Sequence, residues 1–221
     1  MKQILVYGDS MSWGIRPGTR ERLPFDQRWP GVMQLALDPN GRDIRVIEDS
    51  LNGRRTAWDD PFRPGRNGLQ GLAQRIEINA PLALVILALG TNDFQAMHPL
   101  TPALSAHGIA ALVGAIRQAP MEPGMPVPPV LIVAPPPIGV PKGPIATKFE
   151  GAQQKSAGLA AAYADIAQQL GCPFFDAGSV TPSSSVDGIH LDPDQHCLLG
   201  KALAHVAQPL LDAANPGHNP A

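Results

Sequence analysis

The sequence predicts an α/β fold, a parallel sheet with helices on both faces. Three observations carry this expectation. Five short apolar runs recur along the chain, and segments with helical periodicity fall between them. One run, Leu82 to Leu89, is apolar without a break, as a strand buried on both faces of a parallel sheet must be.

The elements follow in order. Ile4 to Tyr7 is the first strand, and Arg28 to Leu37 fills the gap before the second, Ile44-Arg45-Val46-Ile47. Leu69 to Asn79 gives a weaker helical pattern ahead of the third strand, Leu82 to Leu89. Thr101 opens a helix with Pro102 in its first turn and Ile109, Leu112 and Ile116 along its stripe. The fourth strand, Val130 to Val133, is fenced by Pro128-Pro129 and Pro135-Pro136-Pro137. Leu159, Tyr163, Ile166 and Leu170 share one helical face, and Gly171 ends that helix. Phe174-Phe175 is a short fifth strand. Asp192-Pro193 starts the last helix, with Leu199, Leu203, Val206 and Leu210 on one face. Right-handed crossovers put the carboxyl end of every strand on one edge, where sites in such sheets lie.

Two segments stand outside this alternation. Arg54 to Gly68 mixes arginines and aspartates with Trp58 and Phe62, two aromatics expected to be buried in a contact. Pro120 to Pro144 holds ten prolines. Loops of this length are functional, interfacial or disordered.

At 221 residues the chain suits one domain, over 1–212, with 213–221 as a flexible tail. Lys plus Arg is 17 and Asp plus Glu is 19, so no basic stripe argues for nucleic acid or an anionic membrane. No apolar run approaches the ~20 residues of a bilayer span. The first apolar run is too short for a signal-peptide core, so the chain is expected to start near Met1 and stay in the cytoplasm. Cys172 and Cys197 fit a reducing compartment and are expected as two buried thiols. His196 and His205 are nine apart on one helix, unlike the i, i+4 pair of a zinc helix. His98 and His107 flank a helix start and His218 lies in the tail, so no metal is assigned.

The chemistry lies at four strand ends. Ser10 follows the first strand in Gly8-Asp9-Ser10, Gly53 the second, and Asn92 the third in Gly90-Thr91-Asn92-Asp93. Asp187-Gly188-Ile189-His190 follows the fifth. A serine hydroxyl needs a base within hydrogen-bond reach, which His190 supplies, and Asp187 can hold the ring's other nitrogen. The amides of Ser10 and Gly53 and the side chain of Asn92 supply donors for an oxyanion. Asp93 is expected to brace the Asn92 turn. Each segment alone is also an ordinary turn sequence. Order, spacing and strand-end placement together single them out.

These four segments resemble the blocks of the SGNH (GDSL-type) hydrolases, with Met11 where leucine is usual. Tyr7 to Gly14, Pro135-Pro136-Pro137, Pro173 to Ser179 and Val186 to His190 are similar to the bacterial arylesterase/acyltransferase branch. The resemblance implies a three-layer, flavodoxin-like α/β/α sandwich with a five-stranded parallel sheet. It implies a serine esterase acting on small acyl and aryl esters through an acyl-enzyme, with acyl transfer or perhydrolysis as a further activity. Ser10 would be nucleophile, His190 base and then acid, Asp187 its orienter, and Ser10, Gly53 and Asn92 the oxyanion hole. Trp13, Ile15, Phe149 and Ile189 are candidates for the substrate pocket, or for plain core packing. No cofactor is implied. The branch forms large homo-oligomers, octamers among them, through loop extensions that Arg54 to Gly68 would suit. A sugar-ester deacetylase and a thioesterase or lysophospholipase remain open, as does a non-enzymatic flavodoxin-like binding module. No glycine-rich phosphate loop favours that last reading.

Overall fold

A computed structural model describes residues 1–213. The strands are β1 (Lys2–Gly8), β2 (Ile44–Ser50), β3 (Leu84–Ala88), β4 (Val130–Ala134) and β5 (Phe174–Asp176). They form one parallel sheet in the order β2-β1-β3-β4-β5. The order reverses direction between β1 and β3, so a crevice opens beyond their carboxyl ends. Register sharpens this: Gly8 pairs with Ser50 on one side and Ala88 on the other, so three strands end level.

The helices are α1 (Ser10–Trp13), α2 (Trp29–Leu37), α3 (Leu72–Asn79), α4 (Pro102–Arg117), α5 (Ala152–Lys155), α6 (Leu159–Leu170) and α7 (Pro193–Ala213). Alternation along the strands separates two cores. Ile4, Val6, Leu84, Ile86, Leu131 and Val133 meet Trp29 and Met33 of α2 and Leu199 and Leu203 of α7. Leu5, Tyr7, Val85, Leu87 and Ile132 meet α3, α4 and α6 through Ile76, Ile109, Leu112 and Tyr163. Truncating one such side chain to Ala costs about 2–5 kcal/mol.

Thr101 caps α4 by accepting from the Leu104 amide at 3.3 Å, as its place before Pro102 predicts. The helix expected from Leu69 starts later, at Leu72. Helix α7 runs through Ala213, so the expected tail begins no earlier than 214 and, with His218, lies outside the described residues. Cys172 and Cys197 are half-buried free thiols rather than fully buried ones. Phe62 is 78% exposed, so among the described residues the contact expected for it is not made. Among the described residues no helix is long and apolar enough to cross a membrane.

Candidate active site

Ser10 begins α1 immediately beyond β1, with Asp9 as its cap: the Asp9 carboxylate accepts from the Met11 amide at 2.9 Å. A strand that turns at once into a helix presents the serine at the sheet edge. Ser10 is only 8% exposed, and its Oγ lies 3.1 Å from His190 Nε2.

His190 sits in the loop between β5 and α7. Its Nδ1 is 2.7 Å from Asp187 Oδ2. Asp187 Oδ1 accepts from the amides of Ile189 and His190, both at 2.9 Å, and Oδ2 also accepts from the Gly18 amide. Burial pushes the Asp187 carboxyl up, but the His190 hydrogen bond and charge and these amides outweigh it and hold it well below the usual carboxylate range. Asp187 is therefore an anion fixed against the ring. Gly188 makes the three-residue return possible. Its φ is +76°, and a Cβ there would collide with the Val140 carbonyl.

Opposite this pair lie the donors. The amides of Ser10 and Gly53 find no backbone acceptor among the described residues. Gly53 holds φ +87°, which aims its amide in a direction other residues reach only with strain. Asn92 follows β3 in a single helical turn, Thr91–Phe94, and its Nδ2 donates to Asp9 Oδ2 at 3.0 Å.

The orientation of the Asn92 carboxamide is set by a chain of buried polar groups. Arg55, wholly buried in the loop after β2, donates to Gln95 Oε1 at 2.8 Å. Arginine carries donors only, so it fixes which end of the Gln95 amide is oxygen. Gln95 Nε2 then donates to Asn92 Oδ1 at 2.8 Å. That leaves Asn92 Nδ2 toward Asp9, with its second hydrogen unbonded among the described residues. Arg55 is itself paired to Asp60 at 3.4 Å. Asp93 does brace the turn: its carboxylate accepts from the Thr56 amide and hydroxyl and from Ser105 Oγ, at 3.0, 2.7 and 2.6 Å. Burial raises its pKa against those bonds. Sequence reasoning identified Asn92 and Asp93 but missed Arg55, Gln95 and Asp9. The visible signal was an arginine pair, Arg54-Arg55, beside the motif glycine; both arginines are buried.

Asp9 is fully buried, and burial pushes its carboxyl up to about 6 against the Met11 amide, the His190 charge, Asn92 and Arg54. Both of its oxygens accept bonds from donors. A cavity of about 250 Å³ touches Asp187 and His190 and is otherwise lined by Gly18, Thr19, Arg20, Lys142, Pro144, Ile145 and Lys148. The later part of the proline-rich segment thus walls the site. It is held there by Gly139 donating to the Gly188 carbonyl and Lys142 to that of Asp187, at 2.8 and 3.1 Å.

None of the four expected pocket residues lines this cavity. Ile15, Phe149 and Ile189 are each 2% exposed, and the latter two belong to the core that covers α3, α4 and α6. Trp13 is half-buried beneath the Arg22 guanidinium, 4.9 Å from its ring. Apolar residues flanking the motifs pin the strand-end loops to the core, and the loops themselves make the wall.

His196 accepts from the Trp29 amide through Nδ1 at 3.2 Å, and burial lowers its pKa to about 3, so it is a neutral core group. Among the described residues no group of three or more His, Cys, Asp or Glu is arranged to hold a metal.

Known proteins resemble the chain throughout this architecture. Residues 6–197 match the model of the GDSL-like Lipase/Acylhydrolase family. The solved native aryl esterase of M. smegmatis is 40% identical, with a TM-score of 0.89, over 95% of this chain and 100% of that one. A carbohydrate acetylesterase family member from Sinorhizobium meliloti is 37% identical, with a TM-score of 0.89, over 96% of this chain and 100% of that one. An arylesterase of Vibrio mimicus is 34% identical over 92 residues, 42% of this chain and 38% of the relative's own length.

Proposed function

The chain belongs to the GDSL-like lipase/acylhydrolase family, and from that premise we propose that it is a serine esterase of small acyl and aryl esters with Ser10 as nucleophile. The observation that carries this reading is the unbroken chain from Ser10 Oγ to His190 Nε2 at 3.1 Å and from His190 Nδ1 to Asp187 at 2.7 Å.

The steps follow from that line. Ser10 Oγ attacks the ester carbonyl carbon while its proton passes to His190 Nε2. Asp187 keeps the other ring nitrogen protonated and stabilises the imidazolium. The carbonyl oxygen becomes an oxyanion and receives hydrogen bonds from the Ser10 and Gly53 amides and Asn92 Nδ2, each worth on the order of 10²–10³ in rate. The tetrahedral adduct collapses: the alcohol leaves with the Nε2 proton, and Ser10 keeps the acyl group. Water then gives a proton to Nε2 and attacks the acyl carbon. Collapse of that second adduct releases the acid and returns the proton to Ser10.

The test is direct. A fluorophosphonate labels Ser10, read by mass spectrometry, and Ser10→Ala abolishes both labelling and turnover of an aryl acetate while the thermal melt is unchanged. Retained turnover in clean Ser10→Ala would end the reading. The likeness to a carbohydrate acetylesterase favours a second substrate class, acetylated sugars, read by acetate release. Acyl transfer to added alcohols belongs to the same acyl-enzyme and is scored as ester product. The exposed Phe62 in the loop after β2 favours a homo-oligomer, and light scattering at the mass of one chain would exclude it. The free cysteines fit a cytoplasmic setting.

A further inference from the structure

The cavity wall at His190 is cationic. Arg20, Lys142 and Lys148 line it beside two apolar residues, Pro144 and Ile145. Its one carboxylate, Asp187, has both oxygens bound to His190 and to loop amides. Elsewhere in this protein buried arginines are paired: Arg28 with Glu48, Arg54 with Asp49, Arg55 with Asp60. At the mouth Arg63 and Lys148 are half-buried and Arg20 is exposed. Among the described residues the side chains of Arg20, Arg63 and Lys148 have no hydrogen bond and no ion pair.

Lys148 is the sharpest case. It is half-buried. Burial lowers its pKa, and the charges of Arg63, Arg55 and Arg20 lower it further; Asp60 alone opposes them. Asp60 is already engaged by Arg55 and by the amides of Phe62 and Arg63. Arg63 reaches the other wall of the site, with Nη1 3.2 Å from where a Cβ on Gly53 would stand. Unmatched cations therefore flank both the base and the oxyanion donors, on a chain whose formal charge is −2. Holding like charges together in partly desolvated space is costly unless something negative joins them.

We propose that the mouth recognises esters that carry a carboxylate, on the acyl or the alcohol part, and that Lys148 and Arg63 supply the counter-charge. The inference rests on the esterase reading and names its substrate class. A substrate carboxylate would accept charge-assisted hydrogen bonds from these side chains, which selects among esters without taking part in the chemistry.

Two matched pairs test it. On the alcohol side, 4-carboxyphenyl acetate is compared with 4-carbamoylphenyl acetate; on the acyl side, the 4-nitrophenyl half-ester of glutaric acid with its glutaramate. Within each pair the size is matched and the charge differs. Each kcat/KM is divided by the uncatalysed hydrolysis rate of the same ester, because the two groups differ in electron withdrawal and the glutarate carboxylate can attack its own ester. One charge-assisted bond raises kcat/KM for the carboxylate member roughly tenfold to a hundredfold. Whichever pair shows the preference identifies the half of the ester that bears the charge. Lys148→Met, and separately Arg63→Gln, bring the ratio toward one. Equal handling of carboxylate and carboxamide in both pairs overturns the proposal, and so does a preference that survives both substitutions. Turnover of the carboxamide members by the unaltered enzyme shows that such a result concerns the charge alone. Loss of the esterase reading would instead appear as Ser10→Ala retaining all four activities.

Discussion

Gln95→Glu isolates the oxyanion donor that depends on a rotatable side chain. The replacement is isosteric, and its carboxylate faces Arg55, which already donates to Gln95 Oε1 at 2.8 Å, so the fold keeps its partner there. What it loses is the hydrogen bond from Nε2 to Asn92 Oδ1 at 2.8 Å. Two oxygens then oppose each other, and the Asn92 carboxamide relieves this by turning its NH₂ toward the new carboxylate. Its carbonyl oxygen then faces Asp9 and the incoming substrate oxygen. One of three donors is gone, while the Ser10 and Gly53 amides stay where the backbone holds them. The expected loss is about 10²–10³ in kcat, about 2.7–4 kcal/mol, with KM nearly unchanged because the bond forms only as charge develops. Steady-state kinetics on an aryl acetate give the split. Affinity for a trifluoromethyl ketone, whose hemiketal carries the oxyanion, should fall in parallel. A variant with kcat within threefold of the parent and the same urea midpoint would refute the argument that Gln95 sets the direction of Asn92.

Asp187→Asn keeps the loop amides on Oδ1 but puts an NH₂ against His190 Nδ1, so Nε2 carries the ring proton and cannot take one from Ser10; kcat should fall by roughly 10⁴. Asp9 has a folded-state pKa of about 6, above the ordinary carboxylate value, so its contribution favours the fold below pH ~4 and is lost as pH rises through 6. The stability of the parent relative to Asp9→Asn, from urea melts at pH 4 and pH 7.5, should therefore drop by about 3 kcal/mol across that range. A flat difference would count against a raised Asp9. Gly53→Ala forces a Cβ into φ +87° and to 3.2 Å from Arg63 Nη1, costing roughly 1–2 kcal/mol of stability and lowering kcat through the displaced amide.

The parts legible in the sequence are those with local causes. The run Leu82 to Leu89 announced a central strand because no polar residue interrupts it, and Thr101-Pro102 announced a helix start because capping is decided within one turn. Ser10, Gly53, Asn92 and His190 were singled out together because strand ends in a parallel sheet share an edge. Arg55 and Gln95 were not, because a buried arginine in a loop has meaning only through a partner 40 positions away. The cavity wall was not legible either: Gly18 to Arg20 and Lys142 to Lys148 have no periodicity, and their meeting is a product of loop packing. Trp13, Ile15, Phe149 and Ile189 attracted notice for being apolar near motifs, and apolarity is what holds loops down as readily as what greets a ligand.

Because every strand runs the same way, β1 carries the chain from one rim of the sheet to the other over 7 residues, about 20 Å. Helix α7 travels back: the Lys2 ammonium meets the Leu211 carbonyl at 2.8 Å and Asp212 at 3.9 Å. Lys2 and Leu211 are thus neighbours on the rim opposite Ser10. An enzyme tethered to a bead, or fused to a carrier, through either neighbourhood would present its mouth to the bulk solution.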